Sequence, residues 1–214
     1  DNGLNLREGF VCPITNLNNR CRAALFIKEV ELDIHPKSYI YITEQTTNLY
    51  QLLEKDYEHL YGSEYLGDKI PFGSIDQNGI RNEDLENLKF SDATFNAVMS
   101  FDVLEHVVDY KKSLKEVYRV LTKGGTFLWT APFNLNSENI FIRATIENGE
   151  VKHLMPPQYH GDPISSKGVL CFRVFGWSVL EDMREIGFSD AYVIILSCLE
   201  LGFPGFFSYV VGKK

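Results

Sequence analysis

The sequence predicts an α/β fold: a mostly parallel sheet of seven strands with one antiparallel strand at the C-terminal end and helices on both faces. Three observations carry that reading. Short β-branched or aromatic runs alternate with helix-period segments. One strand–helix–strand unit, from Phe95 to Pro132, is sharply punctuated. The chain ends in two apolar runs, AYVIILS and FFSYVVG, separated by a reversal. Alternating strands and helices imply right-handed crossovers and a parallel sheet covered on both sides, and a terminal reversal adds a single antiparallel strand.

The elements follow in order. After an irregular Asn- and Gly-rich start, NNRCRAALFIKEVEL has helical apolar spacing at Ala24, Phe26, Ile27 and Val30, and Pro36 lies beyond its end. SYIYIT (38–43) reads as the first strand. TNLYQLLEKDYEHL places Leu49, Leu52, Leu53, Tyr57 and Leu60 at helical spacing, with Thr47 or Asn48 as N-cap. YGSEYLG is then a short second strand, and DKIPFGSIDQNG, rich in Gly, Pro, Asp and Asn, is a loop. A third strand is expected around GIRN.

FNAVMSF (95–101) is the fourth strand. Asp109 caps the helix YKKSLKEVYRVL, TKGG is expected to close it with Gly124 or Gly125 in the left-handed cap, and GTFLWTAP is strand five. Residues 133–170 lack sustained periodicity, and a segment of that length reads as a lid over the open end of the sheet. WSVLEDMREIG is a short helix ended by Gly187, and Pro204-Gly205 marks the turn between the last two strands. The domain expectation is an N-terminal segment plus helix over 1–37 and a Rossmann-like α/β domain over 38–214, with the lid inserted at about 133–170.

Composition narrows the function. The 214 residues are 44% hydrophobic, enough for one good core. Acidic groups outnumber basic ones by 29 to 21, a net charge of −8, and no basic stripe is present, so a nucleic-acid partner is not expected. No apolar run approaches the roughly 20 residues of a membrane span. The start, DNGLNLREGF, carries charge and no apolar h-region, so no secretory signal is expected; beginning at Asp1, the sequence is also compatible with a piece of a longer chain. Cys12, Cys21, Cys171 and Cys198 form no CxxC, and free thiols in a reducing cytoplasm are expected. The surface leaves a homodimer open.

The stretch DLENLKFSDATFNAVMSFDVLEHVVDYKKSLKEVYRVLTKGGTFLWTAPF resembles the middle of class I S-adenosylmethionine-dependent methyltransferases. The matching elements are Asp84, Leu88-Lys89-Phe90, Phe95-Asn96-Ala97-Val98, Leu104 to Val107, Arg119 to Gly125, and Pro132. The resemblance covers about 50 residues closely, and the strand order agrees from Ser38 to the end. It implies S-adenosylmethionine as cofactor, S-adenosylhomocysteine as product and methyl transfer to an oxygen or nitrogen of a small, possibly sugar-like molecule.

By the same resemblance, Glu64 would accept from the ribose hydroxyls and Asp84, beside Leu85, from the adenine amino group. Ser100 and Phe101 would line the methionine portion. The family's glycine-rich first turn is replaced by T-E-Q-T-T, so Glu44, Gln45 and Thr46 are expected to meet the cofactor with their side chains. That replacement keeps a second reading open, a methyltransferase-like domain that binds a ligand or partner without catalysis. A nicotinamide oxidoreductase is disfavoured, because it would need GxGxxG at that turn.

For the acceptor side, His160 and Asp162 of the turn YHGDP, with His106 after strand four, are the candidates for acceptor binding or proton removal, imidazole titrating near neutrality. Phe133, Phe141, Met155, Tyr159 and Phe172 are candidates for an apolar acceptor pocket. Asp102, Glu105 and His106 could together hold a divalent ion. The reading adopted is that no metal binds and that the Glu-His pair supports its loop.

Overall fold

The computed structural model describes residues 5–161 and 168–214. Helix α1 (Asn19–Glu31) starts where the Asn18 side chain accepts from the Cys21 amide. It buries Ala23, Ala24 and Ile27, while Phe26 and Val30, expected on the inner face, lie exposed. Strand β1 (Tyr39–Ile42) leads through a turn into α2 (Asn48–Leu53), capped by the Thr47 side chain. This helix is less than half the expected length. His59 and Leu60 leave it to begin β2 (His59–Gly62), which pairs in parallel with β1.

The expected third strand shrinks to a single parallel bridge, Glu64 to Asn82, reached through a 3₁₀ turn at Gly67–Lys69. Asn82 gives the physical reason. Its buried side chain accepts from the Leu66 amide and donates to the carbonyls of Gly67 and Ile70, so loop groups are satisfied without a longer ladder.

Strand β3 (Phe95–Phe101) and helix α3 (Tyr110–Val120), capped by Asp109, lie where the sequence places them. TKGG does not cap α3. It opens β4 (Leu121–Thr130), with Gly124 at φ +79° beside a register shift against β3. Between 133 and 178 the described residues form six short strands: β5 (Phe141–Ile142), β6 (Ala144–Glu147), β7 (Glu150–His153), β8 (Tyr159–His160), β9 (Val169–Leu170) and β10 (Arg173–Val174). They form three antiparallel ribbons, β5–β10, β6–β7 and β8–β9. The segment read as aperiodic is therefore built from pairs too short to leave a repeating pattern. Helix α4 (Val179–Ile186) ends at Gly187, φ +127°. Strands β11 (Asp190–Cys198) and β12 (Phe203–Lys213) close the chain; the reversal falls at 199–202, and Pro204-Gly205 lies inside β12.

The main sheet runs β11-β12-β4-β3-β1-β2, with β12 antiparallel to both neighbours and β1, β2, β3 and β4 parallel. Side-chain alternation builds two cores. Tyr41, Val98, Phe127 and Trp129 face α3 and α4, whereas Ile40, Ile42, Met99 and Leu128 face α1 and α2. No helix among the described residues is long and apolar enough to cross a membrane.

The parallel strands thus present their carboxyl ends together, where ligands of open α/β sheets bind. One glycine shapes that edge: a Cβ on Gly62 would sit 2.5 Å from the Tyr50 ring and 2.8 Å from the Glu44 carbonyl oxygen. Gly62→Ala is expected to cost about 1–3 kcal/mol through this overpacking, read as a lower urea midpoint. An unchanged midpoint would show that the β1–β2 edge is looser than described.

Candidate cofactor and acceptor site

The first turn is held by an acid, not by glycine. One oxygen of Glu64, Oε1, accepts from the Gln45 amide, the Thr46 amide and the Thr46 hydroxyl, each at 2.8 Å. Among the described residues its other oxygen, Oε2, has no hydrogen-bond partner. The Gln45 side chain donates to the Gly79 carbonyl at 2.9 Å and accepts from the Arg81 amide at 2.8 Å. Gln45 and Thr46 therefore use their side chains on the protein itself. Glu44 is partly buried at the end of β1, and burial pushes its carboxyl up while the Thr47 hydroxyl and the Arg20 charge pull it down.

Asp84 uses one carboxylate oxygen on the Glu86 amide at 2.8 Å, and Leu85 beside it is core. The Tyr65 ring, next to Glu64, is 65% exposed and stacks on Phe72 with centroids 5.9 Å apart. Burial and the charges of Asp84, Asp68 and Glu86 push its phenol pKa up. Ser100 is buried and its hydroxyl accepts from Thr43 at 3.0 Å. Phe101 packs downward with Leu49 and Leu53 in the α1–α2 core. This donor set fits a nucleoside: the available acceptors are the second oxygens of Glu64 and Asp84, beside an exposed aromatic face. Tyr65 was missed in the sequence, although an aromatic residue directly after a strand-end acid was a usable signal.

On the opposite side of the strand ends, Asp102 adopts φ +57° and accepts from Arg7 at 2.8 and 2.6 Å and from Thr130 at 2.9 Å, with Arg20 at 3.2 Å. The N-terminal segment is thereby tied across the end of β3. Neither Arg7 nor Arg20 carried a sequence signal, since each partner is distant in the chain.

The loop after Asp102 is fixed by the 168–174 region. Arg173, 3% exposed, donates to the carbonyls of Leu104, Val107 and Val108 at 2.7, 2.6 and 2.7 Å. The Phe172 amide donates to the Glu105 carbonyl, and His106 Nδ1 lies 2.8 Å from the Leu170 carbonyl oxygen. His160 meets this loop: its Nδ1 is 3.3 Å from Glu105 Oε1, and its ring stands edge-on to His106 with centroids 5.0 Å apart. His106 and His160, separate in the sequence, therefore converge on buried Glu105. Asp162 lies outside the described residues. The five apolar candidates do not share one environment: Phe172 is buried, Phe133 packs edge-on to Trp177, and Phe141, Met155 and Tyr159 are exposed.

Burial alone would raise the Asp102 carboxyl, but the Arg20 charge and the Arg7 hydrogen bonds outweigh it and hold the pKa at about 2, against 3.8 ordinarily. A depressed carboxylate stabilises the fold above its unfolded pKa, and that contribution, about 2 kcal/mol here, is lost as pH falls through the folded value. The stability gap between wild type and Asp102→Asn is expected to narrow between about pH 4 and pH 2, measured by urea midpoints. A gap independent of pH would contradict the assigned pairing.

Comparison with known proteins agrees with this architecture. The sequence pattern of the methyltransferase domain family matches residues 19–129. A Mycolicibacterium smegmatis protein described as "Probable S-adenosylmethionine-dependent methyltransferase" is 40% identical over 53 residues, 25% of this chain and 21% of that protein. The chain therefore matches about a fifth of that relative's length. The fold is shared with an S-adenosylmethionine-dependent methyltransferase from Mesorhizobium loti, with TM-score 0.55, 16% identity, and 89% and 96% of the two chains covered. It is also shared with a Burkholderia thailandensis 1,6-didemethyltoxoflavin-N1-methyltransferase, whose structure holds 1,6-didemethyltoxoflavin and S-adenosylhomocysteine, with TM-score 0.53, 12% identity, and 92% and 78% covered. The family match spans just over half of the chain, and the protein belongs to the methyltransferase domain family, with the class I S-adenosylmethionine-dependent fold.

Proposed function

We propose that the protein transfers the methyl group of S-adenosylmethionine to an oxygen or nitrogen of a small molecule, with S-adenosylhomocysteine as product. The observation that carries this reading is the divided carboxylate of Glu64, which anchors the first turn with one oxygen while the other has no hydrogen-bond partner among the described residues. A ribose presents hydroxyl donors to such an acceptor, and an adenine amino group suits the second oxygen of Asp84. The exposed Tyr65 ring offers the purine a face.

When bound, S-adenosylmethionine supplies a sulfonium-activated methyl group, so the chain's own task is binding, orientation and handling of the acceptor's proton. The strand-end acids Glu44, Glu64 and Asp102 favour a cationic donor nearby, although Arg7 and Arg20 offset Asp102. On the acceptor side, His160, His106 and Glu105 form the cluster that meets the acceptor and its proton, with Asp162 following in the chain. The described residues of the 133–170 segment act as the lid and carry His160 to this cluster. A small-molecule or sugar-like acceptor is favoured over a nucleic acid by the net charge of −8. Four free cysteines suit a cytoplasmic setting.

Calorimetry with S-adenosylmethionine and S-adenosylhomocysteine tests the reading. Both should bind in the micromolar range. Glu64→Gln, which keeps an oxygen for the turn but replaces the free acceptor by a donor, should bind at least about tenfold more weakly, the loss of one charged hydrogen bond. Folded protein that binds neither ligand would overturn the assignment in favour of a non-catalytic domain.

A further inference from the structure

We propose that Glu105, His106 and His160 form a binding site for a divalent transition-metal ion of the zinc class. One ligand atom from each of the three lies within 4.8 Å of the others. The residues come from two separate parts of the chain, the loop after β3 and strand β8, and the rigid framework around Arg173 holds the first of these.

The hydrogen-bond directions argue for a cation. His106 Nδ1 lies 2.8 Å from the Leu170 carbonyl oxygen, which can only accept, so Nδ1 carries the proton. In the neutral ring the lone pair is then on Nε2, and Nε2 lies 3.6 Å from Glu105 Oε1. A lone pair facing a carboxylate oxygen is repulsive unless a positive charge lies between them. Glu105 sharpens the case: its side chain is fully buried, and its Oε2 has no hydrogen-bond partner among the described residues. Leaving a buried carboxylate oxygen unpartnered costs several kcal/mol in a low-dielectric setting, on the order of the penalty for a buried ion. Among the described residues no arginine pairs with Glu105: Arg173 gives both terminal nitrogens to backbone carbonyls, and Arg7 is held by Asp102 and Glu8.

The spacing suits first-row metals. Tetrahedral coordination at Zn–N and Zn–O bonds of about 2.0 Å separates neighbouring ligand atoms by about 3.3 Å. Glu105 Oε1 is 3.3 Å from His160 Nδ1 and 3.6 Å from His106 Nε2. Two imidazoles and one carboxylate exclude the oxygen-only preference of calcium and magnesium and lack the thiolates of soft-metal sites. The Leu170 carbonyl on the outer nitrogen of His106 is the orienting bond that metal-bound imidazoles usually make. At His160 the Gln158 amide nitrogen lies 3.2 Å from Nε2 and Nδ1 faces Glu105; a half-turn of the Gln158 amide would present its oxygen to Nε2–H instead and leave Nδ1 free to ligate.

Asp102, the third member of the set weighed in the sequence, is held by Arg7 and Arg20 and plays no part. Three protein ligands leave one position open, for water or for the acceptor heteroatom. That consequence rests on the methyl-transfer reading; the binding itself does not.

Chelator-treated full-length protein titrated with Co²⁺ tests the site. One equivalent should bind with visible d–d absorption of a four- or five-coordinate ion, be displaced by Zn²⁺, and be unaffected by excess Mg²⁺. His160→Ala and His106→Ala should each weaken binding by more than about tenfold, while His153→Ala, in exposed β7, should not. Glu105→Gln is a further check, and the partly exposed His160 decides if that buried variant fails to fold. Folded protein without the Co²⁺ spectrum, or binding that His160→Ala leaves intact, overturns the proposal. Calorimetry with S-adenosylhomocysteine on the same samples separates the two readings: nucleoside binding without Co²⁺ binding ends the metal site alone, and the reverse ends the methyl-transfer assignment alone.

Discussion

The carboxylate of Glu64 is the joint on which the strand-end edge depends. A glycine-rich turn lets the backbone curve close to a ligand without steric cost. Here the turn contains Glu44, Gln45, Thr46 and Thr47, and its two leading amides would be left without partners at the sheet edge. Glu64 supplies the partner from the end of the adjacent strand, binding both amides and the Thr46 hydroxyl through one oxygen. Hydrogen bonds to a charged acceptor contribute about 1.5–3 kcal/mol each in isolation, and less than the sum when they share one atom. The same acid that a nucleoside would use is therefore also what shapes the cleft for it.

Two arginine clamps set the other walls. Arg7 and Arg20 draw the N-terminal segment over the end of β3 through Asp102, and Arg173 draws the loop from Leu104 to Val108 against the β9–β10 region. Among the described residues Arg173 has no carboxylate partner. Burial lowers its pKa, and the charge is stabilised by carbonyl dipoles and by the Tyr110 ring, 5.1 Å from the guanidinium carbon. The result is a loop in which the carbonyls of Leu104, Glu105, Val107 and Val108 are engaged, with Glu105 Oε2 and His106 Nε2 as its open side-chain atoms among the described residues.

The parts legible in the sequence are those where several local rules agree. β3 is a compact, nearly continuous buried run and α3 has an Asp cap and an apolar stripe, so β3 was placed to the residue and α3 to within one, Leu121 passing to β4. Tyr57 and Leu60 fit a helix period, but β2 needs His59 and Leu60 beside β1, and sheet pairing won over local spacing. The third strand failed because a single side chain, Asn82, did the work of a ladder. Gly124 and Pro204-Gly205 have the composition of turns yet lie within strands, at a register shift and after the true reversal. In the site, Glu64 was legible as an acid just past the end of β2, whereas Asp84, read at the end of a third strand, lies in the loop after the single Asn82 bridge. The hold of Glu64 on the turn was not legible, nor were the arginine clamps or the convergence of His106 and His160, because each joins residues far apart in the chain.

The account is tested most directly by a crystal structure of the protein with S-adenosylhomocysteine. It predicts the ribose hydroxyls on Glu64 Oε2 while Oε1 still holds the Gln45 and Thr46 amides, with the adenine beside Asp84 and Tyr65. A nucleoside bound elsewhere, or a Glu64 side chain released from the turn to reach it, would contradict the claim that one carboxylate serves both.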